Sequence, residues 1–187
     1  YLLDIDQVRT VLENAPPGEI KGIIPVDYAG YPVNLEAYRQ LADEYGLWLL
    51  EDACHAPGGY FVNGAGQRRF CGDGHYAELA VFSFHPVKHI AAGEGGMVTT
   101  NDEKLYRRLL NLRTHGIQQD PSKLVENHGP WYYEMQELGF NYRLTDIQSA
   151  LAISQLKRMG WNLVRRHEIA GRYDKAFKNK CLIIPKV

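Results

Sequence analysis

Short apolar runs alternate with amphipathic segments along the first half of the chain. The runs at 21–26 and 47–50 predict two buried strands, because each is apolar and bounded by turn residues. Between them, apolar residues recur at helical spacing over 35–45, with Asn34 as the candidate N-cap and Gly46 as the residue after the last turn. Strand, helix and strand joined by short connections are typical of a parallel α/β sheet.

The second half of the chain continues the pattern with strands and helices. Apolar runs predict two more strands, at 79–84 and 97–100. Periodic spacing predicts three helices, at 103–113, at 145–158 and at 163–177. The second of these begins with a Thr-x-x-Gln capping box, in which hydroxyl and amide side chains satisfy orphan backbone groups reciprocally.

Three segments fall outside these regular elements. Residues 57–76 are rich in glycine and polar groups and are interpreted as a loop or irregular hairpin, and residues 117–140 as a long loop. Residues 181–187 have the pattern of a strand that begins but is not completed. We therefore expect the chain to be a fragment of a longer protein.

Composition and charge narrow the class of protein. With 187 residues, 45% hydrophobic and 23% charged, the chain is expected to form one globular domain, or a domain with an appendage. The net charge of −1 argues against nucleic acid or an anionic membrane surface as a partner. No apolar run approaches the roughly 20 residues that span a bilayer. Three cysteines without CxxC spacing favour the reducing cytoplasm over a disulfide framework or a zinc site.

Side chains that could carry chemistry follow two of the predicted strands. Asp52 follows the strand at 47–50 after one intervening residue, and Ser83 and Lys88 follow the apolar stretch 79–82 of the next strand. Ligands of open parallel sheets bind beyond the carboxyl ends of the strands, so we expect the acid, the hydroxyl and the amine to converge on one crevice. Taken singly, each residue has an ordinary explanation, as a turn cap, a loop hydroxyl or a solvated amine.

The position of Lys88 makes the combination specific. It lies between a strand and the glycine-rich turn 93–96, where glycines allow positive φ or a close backbone approach. Apolar neighbours would desolvate the amine, lower its proton affinity and make it a nucleophile able to form a Schiff base. A carboxylate such as Asp52 keeps a pyridine nitrogen protonated, and Ser83 can face a phosphate. The set therefore outlines a site for pyridoxal 5′-phosphate (PLP).

Five motifs occur in an order that resembles one enzyme family. They are Glu51-Asp52-Ala53-Cys54-His55-Ala56, Phe82-Ser83-Phe84-His85-Pro86-Val87-Lys88, Gly93-Glu94-Gly95-Gly96, Arg113-Thr114-His115-Gly116 and Gly139-Phe140-Asn141-Tyr142-Arg143-Leu144-Thr145-Asp146. This set is similar to the DegT/DnrJ/StrS family of PLP-dependent nucleotide-sugar aminotransferases, and the similarity covers nearly the whole chain.

The details resemble one branch of that family most. They are Val26-Asp27-Tyr28-Ala29-Gly30, the Ser-Phe-His-Pro-Val-Lys form of the lysine motif, and Trp131 with Glu137 to Arg143. Members of the branch serve pseudaminic acid biosynthesis. The resemblance implies amination of C4 of a UDP-linked 4-keto-6-deoxy-N-acetylhexosamine, with L-glutamate as the amino donor.

The resemblance also implies a fold and an organisation. The fold is that of PLP-dependent transferases of fold type I (aspartate aminotransferase-like), an α/β fold with a mostly parallel sheet and flanking helices. Residues 1–160 correspond to part of the PLP-binding large domain, and residues 161–187 to a long helix and the start of a C-terminal small domain. The chain is thus expected to be a central fragment of a cytoplasmic homodimer with shared active sites.

Residue by residue, the resemblance implies five roles at the cofactor. Lys88 matches the Schiff-base lysine and Asp52 the partner of the pyridine nitrogen; these are the expected catalytic residues. His55 lies where the family has a histidine or glutamine near the phenolic oxygen of PLP. Ser83 matches a phosphate-binding hydroxyl. Asn141 matches an asparagine that reaches the phosphate in the neighbouring subunit.

Three other interpretations remain open at the level of sequence. A PLP-dependent sugar dehydratase shares the fold, but in this family it lacks the Schiff-base lysine, so Lys88 argues against it. A non-catalytic fragment could mediate assembly through its helices and the aromatic loop 131–133. His85 and His89 have the spacing of metal ligands on a helix, but Pro86 disfavours a helix there, so we expect no metal.

Overall fold

The computed structural model describes residues 1–178. Its helices are α1 (Ile5–Asn14), α2 (Leu35–Tyr45), α3 (Glu103–Leu112) and α4 (Asp146–Phe177). Its strands are β1 (Gly22–Ile23), β2 (Trp48–Asp52), β3 (Tyr60–Val62), β4 (Arg68–Phe70), β5 (Leu79–Ser83), β6 (Gly96–Thr99), β7 (Ile117–Gln118) and β8 (Glu134–Met135).

The main sheet has four strands in the order β1–β2–β5–β6. Strands β1, β2 and β5 are parallel, whereas β6 runs antiparallel to β5. The expected mostly parallel α/β sheet is therefore confirmed. Twelve residues, 84–95, lead from β5 back to β6, and they contain no helix of the kind that usually connects parallel neighbours.

Helix α2 packs on the sheet and supplies much of the core. The Asn34 side chain accepts a hydrogen bond from the Ala37 N–H at the start of the helix, and Gly46 ends it in the left-handed conformation at φ 64°. Both ends match the predicted caps, since asparagine and glycine suit these positions. Its apolar face joins the core formed with β1 and β2, which contains Leu12, Ile23, Val33, Leu35, Tyr38, Leu41, Ala42, Leu47, Leu49 and Ala77.

Helix α4 corrects one prediction. The sequence predicts two helices, at 145–158 and 163–177, but the structure has one helix of 32 residues. The residues between them include Gly160, which costs a helix only about 1 kcal/mol relative to alanine, and no proline interrupts the backbone. The predicted capping box is confirmed, because Thr145 and Gln148 bond each other's backbone N–H.

The less regular segments show two further differences from the sequence prediction. Strands β3 and β4 form an antiparallel hairpin within 57–76, which agrees with the second of the two interpretations of that segment. The first difference is that β7 and β8 pair within 117–140, for which the sequence predicts only a loop. Helix α1 has no counterpart among the predicted elements, because Leu12 is its one buried residue and its apolar pattern is short. The strand predicted at 181–187 lies outside the described residues.

None of the helices within residues 1–178 combines the length and the apolar character needed to cross a membrane.

Candidate active site

The parallel strands β2 and β5 bring two of the predicted residues to one edge of the sheet. Asp52 is the last residue of β2 and pairs in register with Val81, and Ser83 is the last residue of β5. Both side chains are half-buried. The Oδ1 atom of Asp52 accepts a hydrogen bond of 3.1 Å from the Cys54 N–H, which fixes the carboxylate at the end of its strand.

The segment that carries Lys88 is anchored on both sides by buried apolar residues. Phe84 and Ile90 belong to one apolar cluster. The backbone of Phe84 also holds the returning chain, because its N–H donates to the carbonyl of Gly95 and its carbonyl accepts from the Ala92 N–H. The Lys88 N–H donates to the carbonyl of His85 at 2.9 Å, so the lysine lies in a tight turn. Its side chain is half-buried. A buried frame thus holds the amine near the ends of the strands.

The glycine turn after Lys88 has the conformation that the sequence predicts. Gly93 and Gly95 have φ of 83° and 137°, and a Cβ on Gly96 would lie 2.7 Å from the carbonyl oxygen of Phe82. A side chain would be strained at the first two positions and would clash at the third. The Gln148 side chain of α4 donates to the carbonyl of Glu94 at 3.0 Å, which ties the turn to that helix.

The thiol of Cys54 lies close enough to Asp52 and Lys88 for both side chains to affect its pKa. Burial raises the pKa of Cys54 to about 11, and a hydrogen bond and the negative charge of Asp52 contribute to the increase, while the positive charge of Lys88 opposes it. Opposite charges therefore act on one half-buried thiol. The predicted convergence of the acid and the amine is consistent with this electrostatic proximity.

His55 faces the same region with a defined tautomer. Its Nδ1 accepts a hydrogen bond of 3.2 Å from the Ala29 N–H, so in the neutral ring Nε2 carries the hydrogen. His89 also lies nearby: burial lowers its pKa, and the charges of Arg166, His55 and Lys88 add to that effect. His89 is therefore within electrostatic range of His55 and Lys88, and of the two histidines only His55 is a predicted site residue.

Ser83 and Asn141 lie in different surroundings. The Ser83 hydroxyl oxygen accepts from the His85 N–H at 3.3 Å, which leaves its own hydrogen for an acceptor. Asn141 is exposed, pairs with Thr114 in an isolated bridge, and accepts a bond of 2.9 Å from Arg143 Nε. Within residues 1–178, no hydrogen bond or ion pair joins Asn141 to Asp52, His55, Ser83 or Lys88.

A buried acidic cluster behind the site has no counterpart among the predicted site residues. Asp27, Glu51 and Cys71 are buried, and one ligand-type atom from each lies within 4.8 Å of the others. The sequence does hold a signal for Glu51. It alternates with Leu49 and Ala53, both fully buried, so strand periodicity places a carboxyl on the buried face of β2.

The two histidines at metal-ligand spacing do not form a ligand cluster. His85 and His89 lie in the non-helical segment between β5 and β6, as Pro86 suggested. In the part of the chain that the structure describes, the one group of three possible metal ligands is the buried acidic cluster, which includes neither histidine.

Comparison with known proteins identifies the family. The profile of the DegT/DnrJ/EryC1/StrS aminotransferase family matches residues 1–185. The spore coat polysaccharide biosynthesis protein SpsC of Bacillus subtilis is 38% identical over 94% of this chain and 43% of its own length. The UDP-4-amino-4,6-dideoxy-N-acetyl-beta-L-altrosamine transaminase of Campylobacter jejuni (serotype O:2) is 40% identical over 85% of this chain and 38% of its own length.

A solved structure agrees with these sequence relatives. PseC of Helicobacter pylori, an aminotransferase involved in the biosynthesis of pseudoaminic acid, superimposes with a TM-score of 0.77 at 34% identity. The match covers 96% of this chain and 43% of PseC. The chain thus spans less than half the length of these relatives, and the aminotransferase fold expected from its motifs is confirmed. On the family profile and these relatives together, the chain belongs to the DegT/DnrJ/EryC1/StrS aminotransferase family.

Proposed function

We propose that the protein is a PLP-dependent aminotransferase that transfers an amino group to a nucleotide-linked keto sugar. The observation that carries the proposal is the geometry at the carboxyl ends of two neighbouring parallel strands, where Asp52 ends β2, Ser83 ends β5 and Lys88 lies in the turn that follows β5. Ligand sites of open α/β sheets lie at such strand ends. Family membership makes amino transfer the reaction that best fits a carboxylate and an amine placed there.

The residues present fit PLP by their chemistry. Asp52 offers an anionic acceptor for a ring nitrogen, His55 offers Nε2–H for a phenolic oxygen, and Ser83 retains a hydroxyl hydrogen for a phosphate. Cys54 places a small, polarizable side chain two residues after the acid, where both Asp52 and Lys88 affect its pKa. When bound, PLP supplies a protonated pyridine ring that accepts electron density from the reacting carbon.

The chain's own groups then have separate tasks. Lys88 Nζ would hold the cofactor and would carry a proton to and from the reacting carbon of the substrate. The Asp52 carboxylate would hold the proton on the ring nitrogen. The hydrogen bond from Ala29 N–H to His55 Nδ1 keeps the donor of His55 on Nε2. Half-burial of these side chains excludes part of the water that would compete for the same bonds.

The names of the relatives support a UDP-linked sugar substrate. We propose a UDP-linked 4-keto-6-deoxy-N-acetylhexosamine as the acceptor and L-glutamate as the amino donor, as in amino-sugar biosynthesis of the pseudaminic acid type. The Campylobacter relative is named for a UDP-4-amino-4,6-dideoxy sugar, and PseC for pseudoaminic acid biosynthesis.

An assay of the full-length protein tests this proposal. The protein is incubated with L-glutamate and a panel of UDP- and dTDP-linked 4-keto sugars, and 2-oxoglutarate and the amino sugar are measured. Glutamate alone is expected to give at most one 2-oxoglutarate per subunit, and continuous turnover requires the sugar, as in ping-pong kinetics. Turnover with none of the keto sugars would contradict the proposed substrate class.

The proposed organisation follows the same family pattern. Residues 1–160 would form part of the PLP-binding large domain, and residues 161–187 would lead into the small domain. Helix α4 runs through residue 160 without a break, so it would link the two as one rigid rod. The free thiols of Cys54 and Cys71 suit the reducing cytoplasm, which we propose as the location of the protein.

We expect a homodimer in which Asn141 serves the neighbouring subunit. Asn141 is exposed, and its Oδ1 accepts from Arg143, which leaves the amide nitrogen to donate to a phosphate. Mixing inactive Lys88→Ala and Asn141→Ala dimers should restore activity, because each mixed dimer has one site with both lesions and one with neither. With random exchange, roughly a quarter of all sites would be intact. Mixed dimers that form but stay inactive would mean that Asn141 acts within its own subunit.

A further inference from the structure

The buried acidic cluster behind Asp52 places two carboxyl groups where charge is costly. Asp27 and Glu51 have exposed fractions of 0% and 1%, and Cys71, the third member of the cluster, has an exposed fraction of 8%. Ligand-type atoms of the three lie within 4.8 Å of one another. Two carboxylates this close and this deeply buried cannot both be ionised without a compensating cation. No lysine or arginine pairs with either carboxyl in the described residues 1–178.

The hydrogen bonds of the cluster leave one oxygen of each carboxyl without a donor. Asp27 Oδ1 accepts from the Val33 N–H at 2.9 Å, and Glu51 Oε2 accepts from the Gly72 N–H at 2.8 Å. The other oxygens, Asp27 Oδ2 and Glu51 Oε1, are buried, and no donor within residues 1–178 reaches them. Buried polar atoms almost always have a partner. A single proton held by one carboxyl and donated to the other would satisfy both atoms.

The electrostatics of the surroundings agree with a retained proton. Burial raises the pKa of both carboxyl groups, and the charge of Asp27 raises that of Glu51 as well. Two further acidic groups act in the same direction. The charge of Asp52 raises the pKa of Asp27, and the charge of Asp73 raises the pKa of Glu51. Burial and the two carboxyls also raise the pKa of Cys71, so its thiol keeps its hydrogen.

The cluster is joined directly to the candidate active site through the turn at residues 25–30. Asp27 N–H donates to the carbonyl of Asp52, and Asp52 N–H donates to the carbonyl of Pro25, both at 3.0 Å. Two residues after Asp27, Ala29 holds His55 Nδ1 while its own backbone has φ 56°, a conformation unusual for alanine. This strained turn therefore sets the orientation of His55 and the end of β2, and the carboxyl of Asp27 is its buried anchor.

We propose that Asp27 and Glu51 share one proton between Oδ2 and Oε1, and that this carboxyl pair is the positioning element that holds the 25–30 turn, and with it Asp52 and His55, in place. The role as a positioning element rests on the proposed function, whereas the shared proton does not. A divalent cation bound by the three side chains is the competing explanation.

Amide substitutions test the shared proton, because each carboxyl has one oxygen committed to a backbone N–H. In Glu51→Gln, the amide oxygen keeps the bond to Gly72 N–H and the NH₂ group donates to Asp27 Oδ2. In Asp27→Asn, the amide keeps the bond to Val33 N–H and donates to Glu51 Oε1. In the double variant, two NH₂ groups face each other and neither has an acceptor.

The full-length protein is compared as wild type, both single variants and the double variant. We expect the double variant to lower the melting temperature by more than the sum of the two single variants, because only it removes the last acceptor. We likewise expect its kcat to be at least about tenfold below the value predicted from the single variants, since interacting residues are not additive. Additive effects on both quantities would overturn the shared proton.

Infrared spectroscopy reads the proton directly and does not depend on the double variant folding. The wild type should show the C=O stretch of a buried protonated carboxylic acid at neutral pH, and each single variant should lose it. The control Glu78→Gln should retain it, because Glu78 lies outside the cluster and pairs with Arg39 at 2.8 Å. Absence of the band from the wild type, or its persistence in Glu51→Gln and Asp27→Asn, would overturn the proposal.

The pH dependence of stability gives a third readout with a definite sign. The pKa of Glu51 is raised from 4.5 to about 8, so between these values the folded state holds a proton that the unfolded chain has lost. The melting temperature of the wild type should therefore fall across this window as pH rises, and Glu51→Gln should flatten the decline. A wild-type melting temperature that a chelator lowers would instead identify a bound metal. The melting temperatures and the infrared band are measured without substrate, so these readouts of the shared proton stand apart from the aminotransferase assay.

Discussion

Replacing Lys88 by alanine is expected to abolish amino transfer by the full-length protein. The substitution removes both the amine that holds PLP and the group that moves the proton at the reacting carbon. General acid–base catalysis alone contributes about 10²–10⁴-fold, so we expect kcat to fall by at least about 10³-fold. The loop should keep its shape, because its anchors are Phe84, Ile90 and the backbone bonds of the turn rather than the Lys88 side chain.

The matched control is Lys104→Ala, which removes an exposed amine in the first turn of α3. Its kcat is expected to stay within about twofold of the wild type, since surface substitutions of this kind usually have small effects. Borohydride reduction of the wild-type holoenzyme followed by peptide mapping should place the pyridoxyl group on Lys88. A pyridoxyl group on Lys104 or Lys123 instead would show that the lysine was assigned wrongly.

Local sequence signals are sufficient for much of the sheet and for the site at its edge. Helix α2 matches its prediction at both ends, because asparagine and glycine act within one turn of the backbone. Asp52, Ser83 and Lys88 follow strands whose apolar runs are unambiguous, so their place near the strand ends can be read from spacing. The glycine turn is equally readable, because positive φ at Gly93 and Gly95 needs glycine.

Other features depend on contacts between distant segments and have no comparable local signal. The sequence pattern divides the single helix α4 in two because Gly160 resembles a helix end, although glycine inside a helix costs only about 1 kcal/mol. The pairing of β7 with β8 joins residues 117–118 to 134–135 across a long connection. The Asp27–Glu51–Cys71 cluster unites three separate segments, and only the burial of Glu51 on a strand face could have indicated it.

Replacing Asp52 by asparagine is the second substitution for which we expect a large effect. The new side chain can keep the hydrogen bond from Cys54 N–H through its amide oxygen, so the end of β2 should hold its conformation. The amide carries no charge and turns the other acceptor into a donor. A neutral amide cannot hold the proton on a pyridine nitrogen, so we expect cofactor binding to persist while kcat falls by about 10²–10³-fold.

The Cys54 thiol reports whether the substitution acts through charge. The carboxylate of Asp52 raises the pKa of this thiol, so Asp52→Asn should lower that pKa, measured from the pH dependence of alkylation. The control Asp43→Asn removes an exposed carboxylate that pairs with Arg39 on α2. It should leave kcat within about twofold of the wild type and the pKa of the Cys54 thiol unchanged. If Asp52→Asn lowers the thiol pKa but leaves kcat near the wild-type value, a different acid holds the ring proton.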